Sequence, residues 1–491
     1  MVTLSDPDLK ECTYKDNLAL QDTFLSQLWR ELMKSKKQSG ATRTHSKKRV
    51  SNLLKQINLY AAGIDIGSSE HFVAIPEGLD DRPVRSFSCF TGDLERLTDW
   101  LVRIGVSSVV MESTGVYWIP LFEMLEERGL EVLLVNARHV KNVTGRKSDV
   151  QDCQWLQQLH TYGLLSGAFR PTEEVVSLRS YMRQRSTLVR CCASHIQHIQ
   201  KALRHMNLLL DNVVSHVTGR TGMDIIRAIL GGERDPNVLA EYRNGRCKRS
   251  REEIAQSLHG NYRAEHLFSL KQAVSLYDFY QEKIVECDHE LEEQLKCFEP
   301  KADVEEIPVA SSRRTQQAPA FNAREYLFQM AGVDLTQIDG ISETTALKVL
   351  SETGVDMGRW RTEKHFSSWL GLAPGNKVSG GRVLSSKTTP TANPAAQALR
   401  MAAYTLSNSK SYLGAFYRRL RARHGSPKAI TATAHKLARL IYSMIKRSSE
   451  YVDKGESYYE EQYQGRMLKN LKQRAKQLGY SLQPENQEVT E

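Results

Sequence analysis

The stretch Ala62-Gly63-Ile64-Asp65-Ile66-Gly67 decides the fold of the first half of the chain. Its short apolar run is typical of a buried strand, and the following glycine and serines predict a turn into a second strand at His71–Ile75. Asp65 lies inside the run, where an unpaired charge would be costly unless something neutralised it. The stretch therefore predicts a strand that carries a functional carboxylate.

Three further acids follow the same logic. Glu112 comes directly after the apolar run Val109–Met111, and Asp149 and Asp152 lie three residues apart, on one face of a helix. Taken singly, Asp149 could be a helix N-cap and Asp152 an ordinary acid of a first helical turn. Together the four acids predict an oxygen-rich metal site for Mg²⁺, with Mn²⁺ as the alternative ion. Two such metals can clamp the oxygens of a phosphodiester, which indicates nucleic-acid cleavage or strand transfer.

A phosphate-binding loop is the rival interpretation of Gly63–Ser69. This stretch resembles the first phosphate loop of the actin and sugar-kinase superfold, which starts with the same strand and hairpin. An ATPase of that kind should also carry an Asp-x-Gly-x-Thr loop and a Gly-Gly adenosine motif, and the sequence offers no convincing version of either. The kinase interpretation also leaves Asp149 and Asp152 without a role.

The pattern of elements predicts an α/β domain over residues 59–171. Three strand-like segments are followed by alternating helices and strands, which favours a mixed sheet. The segments are strands at 60–66, 71–75, 85–90, 107–111 and 131–135, and helices at 94–104, 120–128 and 149–165. Residues 1–58 are expected to be a basic polar arm.

The rest of the chain is predicted to be mostly helical. Residues 172–298 carry two heptad-like apolar stripes, compatible equally with a helical hairpin within the chain or a coiled coil between subunits. Residues 231–251 are expected to be a loop and 299–324 a flexible linker. A second helical unit follows at 325–448, with a Ser/Thr/Gly-rich loop at 377–394, and 449–491 is expected to be a charged, peripheral tail.

The second unit carries its own candidate nucleic-acid contacts. Leu335–Ala346 resembles a helix–hairpin–helix, in which the backbone around Gly340 would face a DNA phosphate; an ordinary helical corner is the alternative. The Ser379-Gly380-Gly381 turn could approach a phosphate closely, or be a plain flexible loop. Basic side chains could follow a nucleic-acid backbone or form a solvated face, namely Lys377, Arg382, Arg400, Lys428, Lys436 and Arg439.

Composition agrees with a polyanion partner. The 491 residues have a formal net charge of +10, which suits nucleic acid but does not separate DNA, RNA or an acidic membrane surface. The eight cysteines form no C-x-x-C pair, so reduced thiols are expected. With no apolar run long enough for a membrane span and no signal-peptide segment, a cytoplasmic protein is expected.

In combination these motifs resemble the insertion sequence 110 family of bacterial transposases, also called DEDD transposases or bridge-RNA-guided recombinases. The resemblance runs over roughly 60–190 and 325–448. The first block carries it through the four acids, Val116-Tyr117-Trp118 and Asn136-Ala-Arg138; the second through the helix–hairpin–helix, Trp369–Pro374, Ser379-Gly-Gly and Lys436-Leu-Ala-Arg439.

The resemblance implies a RuvC-like, RNase H-fold N-terminal domain whose Asp65, Glu112, Asp149 and Asp152 bind Mg²⁺. It also implies a C-terminal domain whose serine, matched to Ser379, forms a 5′-phosphoserine link to DNA and releases a 3′-hydroxyl. Ser385 and Ser386 are alternative nucleophiles, because the segment after Ser379 departs from the family pattern.

The expected partners are donor and target DNA, a bridge noncoding RNA and further copies of the chain, as a dimer to tetramer with composite sites. Two other functions compete with recombination. One is a RuvC-type metal-dependent junction endonuclease that forms no covalent intermediate. The other is an actin-like ATPase or a catalytically inactive nucleic-acid-binding protein.

Overall fold

The computed structural model describes residues 55–136, 148–309 and 318–482, which separate into two compact units, 1–170 and 171–491. The predicted arm up to residue 54, the positions of Arg138 and Lys147, and parts of the linker and tail lie outside the described residues. No described helix combines the length and apolar character needed to cross a membrane.

The first unit contains a mixed sheet with five strands among the described residues. The strands are β1 (Ala61–Ile66), β2 (Glu70–Ala74), β3 (Val84–Ser88), β4 (Ser108–Glu112) and β5 (Glu131–Val135). Their order is β3-β2-β1-β4-β5, with β1, β2 and β3 antiparallel and β1, β4 and β5 parallel. The helices are α1 (Thr91–Arg103), α2 (Ile119–Glu127) and α3 (Asp149–Thr161). The predicted α/β class, mixed sheet and element order are confirmed.

The two faces of this sheet are covered by different helices. Ile64 and Met111 point to the face that packs on α1 and α2, in a core that includes Leu97 and Leu121. The opposite face, which carries Val110 and Val135, packs against Leu156 of α3. Because side chains alternate along a strand, Gly63, Asp65, Val110 and Glu112 all face α3.

In the second unit, two helices of 33 residues each, α4 (Glu173–His205) and α9 (Ala264–Lys296), pack along each other. The heptad-like stripes therefore meet within one chain, which is the hairpin alternative. Arg185 takes the place of an apolar residue in this seam and donates to both carboxylate oxygens of Asp288, both residues being almost completely buried. Such a pair fixes helix register, because either charge left alone would be costly.

Between α4 and α9 lie four short helices, α5 (Leu210–Val213), α6 (Arg220–Leu230), α7 (Pro236–Glu241) and α8 (Arg251–Ser257). The expectation of a loop over 231–251 was wrong at α7. The local signals for a helix are present, since Asp235 caps it by accepting from the Asn237 amide and Pro236 takes the first helical position.

The remaining helices are α10 (Ala323–Ala331), α11 (Glu343–Thr353), α12 (Glu363–Trp369), α13 (Pro394–Thr405), α14 (Tyr412–His424), α15 (Ser426–Arg447) and α16 (Gly455–Gln477). The expectation of a loop over 377–394 was wrong where two strands form a hairpin, β6 (Lys377–Ser379) and β7 (Arg382–Ser385). The segment after 448 also contains α16, which ion pairs Arg418–Glu456 and Arg419–Glu460 hold against α14.

Gly63 is predicted to be the tightest steric constraint on α3. A Cβ at this position would lie 2.3 Å from the Gln157 nitrogen and 2.5 Å from the Cys153 carbonyl oxygen, both backbone atoms. Gly63→Ala should therefore lower the free energy of unfolding of the first unit by about 3 kcal/mol. Hydrogen exchange of the β1 and α3 amides measures this change. Gly92→Ala is the control, because Gly92 lies in α1 with open space around it. This substitution should leave the free energy of unfolding unchanged or raise it by up to about 1 kcal/mol. Equal effects would refute the constraint.

Candidate functional site

The carboxylates of Asp65 and Glu112 lie at the same edge of the sheet. Ile64 pairs with Met111 in the parallel register of β1 and β4, and each acid is the next residue on its strand. Neighbouring parallel strands place such residues side by side, on the same face. Both acids are half-buried, and Glu112 accepts a hydrogen bond of 3.3 Å from the Thr114 hydroxyl.

Helix α3 brings Asp149 and Asp152 to that edge. Its carboxyl end is fixed near the start of β4, where the His160 ring lies 3.0 Å from the Ser108 hydroxyl. Its middle lies on Gly63 through Cys153 and Gln157. The helix therefore runs back along the strands, and its first turn reaches their carboxyl ends. Ser148 caps that turn by accepting from the Gln151 amide.

The other three acids lie near enough for their charges to act on Asp65. Burial raises the pKa of Asp65 to about 6, and the negative charges of Asp152, Asp149 and Glu112 add to the effect in that order. All three other acids thus act on one carboxylate. Burial also raises the pKa of the neighbouring Cys153 thiol to about 12, with the charge of Asp65 contributing, so this cysteine is a packed neutral group.

The donor chemistry of the cluster suits a hard divalent cation. All four side chains offer carboxylate oxygens. A bound cation would relieve the repulsion that the other three charges exert on Asp65. As the side chains stand, no group of three or more His, Cys, Asp or Glu in the described parts of the chain is drawn to metal-binding distance. The four carboxylates fit such an ion by ligand type, and the strands and helix that carry them meet at one edge of the sheet.

Ser379 lies at the tip of the exposed hairpin β6–β7. Gly380 and Gly381 both have positive φ, +54° and +75°, which is the backbone of a tight two-residue hairpin turn. Ser379 pairs with Arg382 across this turn, so the hydroxyl and the guanidinium start from opposite positions of one ladder. Ser385 accepts from the Lys387 amide at 3.3 Å. The sequence contained a signal for this hairpin. In Ser379-Gly-Gly-Arg382, two adjacent glycines, which suit a two-residue turn, lie between the two residues that pair.

The remaining predicted nucleic-acid contacts are not equally available to a ligand. Lys377, Arg382 and Lys428 are exposed. Arg400 donates weakly to the Gly371 carbonyl at 3.4 Å, and Arg439 forms an ion pair with Glu363 at 3.0 Å.

Lys436 is enclosed. Its ammonium lies 4.1 Å and 4.6 Å from the ring centres of Tyr412 and Phe416, and burial lowers its pKa to about 8. This lysine helps to join α14 and α15, since the two rings belong to α14 and the ammonium to α15.

Gly340 lies in the turn between α10 and α11. It has φ of +84°, and a Cβ there would come within 2.9 Å of the Ala402 carbonyl oxygen. Packing against α13 is sufficient to account for a glycine at this position. Ser342 caps α11 by accepting from the Thr345 amide, so the chain turns at Gly340 directly before α11 begins.

Comparison with known families adds two matches. Residues 62–208 match the DEDD transposase model of the IS110 group, described as a transposase, and residues 334–418 match the model described as transposase IS116/IS110/IS902 family. The first range contains all four acids and the second contains Ser379. No curated protein matches the chain.

Membership of this group carries general expectations about chemistry. Transposases act on DNA, and the DEDD type indicates dependence on a divalent metal. The two matches follow one another along the chain in the same order as the motifs that carry the resemblance. This order agrees with an α/β unit followed by a helical region. The chain belongs to the IS110 family of transposases.

Proposed function

We propose that this transposase cuts and rejoins DNA through a covalent serine–phosphate intermediate, with Mg²⁺ held by Asp65, Glu112, Asp149 and Asp152. The observation that carries the metal site is the placement of Asp65 and Glu112 at one edge of the sheet, where the first turn of α3 brings Asp149 and Asp152. The charges of the other three acids, which act on the half-buried Asp65, agree with it. The strand order, with two antiparallel strands joined to three parallel ones, supports a RuvC-like RNase H fold for this unit. Mn²⁺ offers the same preference for oxygen ligands.

The acids and the serine have separate tasks in this proposal. A divalent cation held by the four acids would supply positive charge that stabilises the attacking and leaving oxygens of a phosphodiester. Ser379 attacks the phosphorus and its hydroxyl proton passes to water. The bond to the 3′ oxygen breaks, and this oxygen takes a proton from water, giving a 5′-phosphoserine and a 3′-hydroxyl. Arg382, paired with Ser379 across the turn, provides a permanent cation beside the phosphate. Because the serine ester keeps the bond energy, rejoining requires no ATP.

Guidance by a bridge noncoding RNA and assembly into a dimer or tetramer complete the proposal. Both follow from the family resemblance, and the net charge of +10 suits a polyanion partner in general. Lys377, Arg382 and Lys428 are exposed cations of the second unit available for these backbones.

The acid cluster should lower the free energy of unfolding of the metal-free protein. Because the pKa of Asp65 is raised from 3.8 to about 6 in the folded state, stability falls as pH rises between these values and stays lower above them. In EDTA at pH 8, Asp65→Asn should raise the free energy of unfolding by about 1–3 kcal/mol. At pH 3, where the carboxyl is protonated folded or unfolded, the difference should largely vanish. Chemical denaturation at both pH values measures it.

Asp81→Asn, at an exposed position of the same unit, is the matched control and should change little. Adding Mg²⁺ should stabilise the wild type more than Asp65→Asn, because only the wild type retains the full ligand set. A destabilising Asp65→Asn in EDTA at pH 8 would show that the four acids are not a repelling cluster.

Covalent capture tests the serine. The gene, with its native flanking DNA, is expressed, the protein is purified under denaturing conditions and the attached DNA is quantified. Ser379→Ala should lower the adduct by about 10³-fold or more, because removing a nucleophile leaves no covalent route. Ser385→Ala and Ser386→Ala are the controls and should keep the adduct.

Loss of the adduct in Ser385→Ala or Ser386→Ala, with retention in Ser379→Ala, would assign the nucleophile to Ser385 or Ser386 and exclude Ser379. Mg²⁺-dependent cleavage by the wild type without any adduct would identify a hydrolytic junction nuclease and contradict the covalent mechanism.

A further inference from the structure

The four short helices α5–α8 form a compact head between the ends of α4 and α9. Ile225, Ile229, Leu239, Ile254 and Leu258 are completely buried there, in one core with the ends of the two long helices. Backbone hydrogen bonds close the head, including Asn261 to the Met206 carbonyl and Leu209 to the Ser257 carbonyl, both 2.8 Å. The head lies between residues 208 and 334, outside both family matches.

The head carries a basic loop, residues 242–251, with five Lys or Arg and no acid. One of the five holds the loop in shape. The Arg243 guanidinium donates to the carbonyls of Arg249 and Cys247, both at 2.6 Å. Asn244 anchors the loop to α6 through the Thr221 hydroxyl, 3.0 Å away, and also accepts from the Arg246 amide.

Three cations project from this loop. Arg246, Lys248 and Arg251 are exposed, and no carboxylate of the described residues forms an ion pair with any of them. Arg249, by contrast, is paired with Glu253 at 3.0 Å. Because the loop backbone is already fixed in the free protein, only these side chains would lose conformational freedom when they meet phosphates.

The long helices hold the loop at a set distance from the C-terminal helices. Glu352 of α11 is buried and accepts from Arg183 at 2.8 Å and 2.9 Å, and Arg179 lies 3.2 Å away, near the beginning of α4. From Arg179 to the end of α4 the helix rises roughly 40 Å. That length corresponds to about 12 base pairs of duplex DNA.

We propose that the basic loop of the head binds the phosphate backbone of duplex DNA, about one helical turn beyond the DNA that the C-terminal helices hold. The family's DNA substrate supplies a duplex long enough to reach it. Arg246, Lys248 and Arg251 would make contacts that do not depend on sequence, so they lengthen the DNA that the enzyme grips without choosing its target. This role is independent of the serine and of the metal.

The test uses the full-length protein in EDTA, which prevents metal-dependent cleavage. The loop variant combines Arg246→Gln, Lys248→Gln and Arg251→Gln; the matched control combines Arg190→Gln, Lys201→Gln and Lys271→Gln at exposed positions of α4 and α9. Fluorescence anisotropy measures binding to random-sequence duplexes of about 60 and about 12 base pairs, and to an RNA hairpin, over a range of salt concentrations.

For the long duplex, the loop variant should bind about 10-fold or more weakly at low salt, and the slope of log K against log salt should fall by about 2 to 3. The control should change binding by less than about 3-fold, and the short duplex should show little difference between the two variants. Equal weakening by both variants, an undiminished loop effect on the short duplex, or an effect confined to RNA would overturn the proposal.

Direct contact gives a second readout. Benzoylphenylalanine in place of Lys248 should photo-crosslink to the long duplex, and the same residue in place of Lys271 should not. Crosslinking at neither position, with the wild-type thermal midpoint retained, would also overturn the proposal.

Discussion

The approach of α3 to β1 over Gly63 is the contact on which the candidate metal site depends. The missing side chain lets the helix backbone lie directly on the strand, with Cys153 and Gln157 against Gly63. Since Asp65 is two residues further along the same face of β1, and Asp152 one residue before Cys153, this contact sets how closely the two acids can meet. If α3 lay farther from β1, the sequence would still contain all four acids, but Asp149 and Asp152 would lie farther from Asp65.

This arrangement lowers the stability of the protein when no cation is bound. Carboxylates at a half-buried edge repel one another, as the raised pKa of Asp65 records, and the sheet bears that cost through its two apolar faces. The amino end of α3 offsets part of it, because the positive end of the helix dipole lies beside Asp149 and Asp152. Strain of this kind is common at catalytic sites and is relieved when the charged ligand arrives.

The second unit is organised by buried ion pairs. Arg185–Asp288 fixes the register of α4 against α9, and Glu352 joins α11 to α4 through two arginines. Asp288 also accepts from the Ala320 amide at 2.9 Å, which connects the hairpin to the chain entering the C-terminal helices. A rigid connection of this kind would keep the head and the C-terminal helices at a constant separation along a nucleic acid.

The sequence predicted the α/β unit well because its signals are local. Apolar runs end at acids, and three-residue spacing puts Asp149 and Asp152 on one helical face. It did not reveal α7, although Asp235 and Pro236 are ordinary start signals, because the basic composition around them favoured a loop. The hairpin carrying Ser379 was interpreted as a loop for a different reason, because its two strands are short and exposed and only the turn glycines mark them. The enclosure of Lys436 between two rings of α14 depends on tertiary packing, which helical spacing alone does not show.

Crystals of the protein grown with Mn²⁺ offer the most direct test of the central claim, through an anomalous difference map. We expect a peak coordinated by oxygens of Asp65, Glu112, Asp149 and Asp152, at the carboxyl ends of β1 and β4 and the first turn of α3. A well-ordered cluster without a peak, or a peak held by other residues alone, would contradict the assignment of these four acids as the metal site.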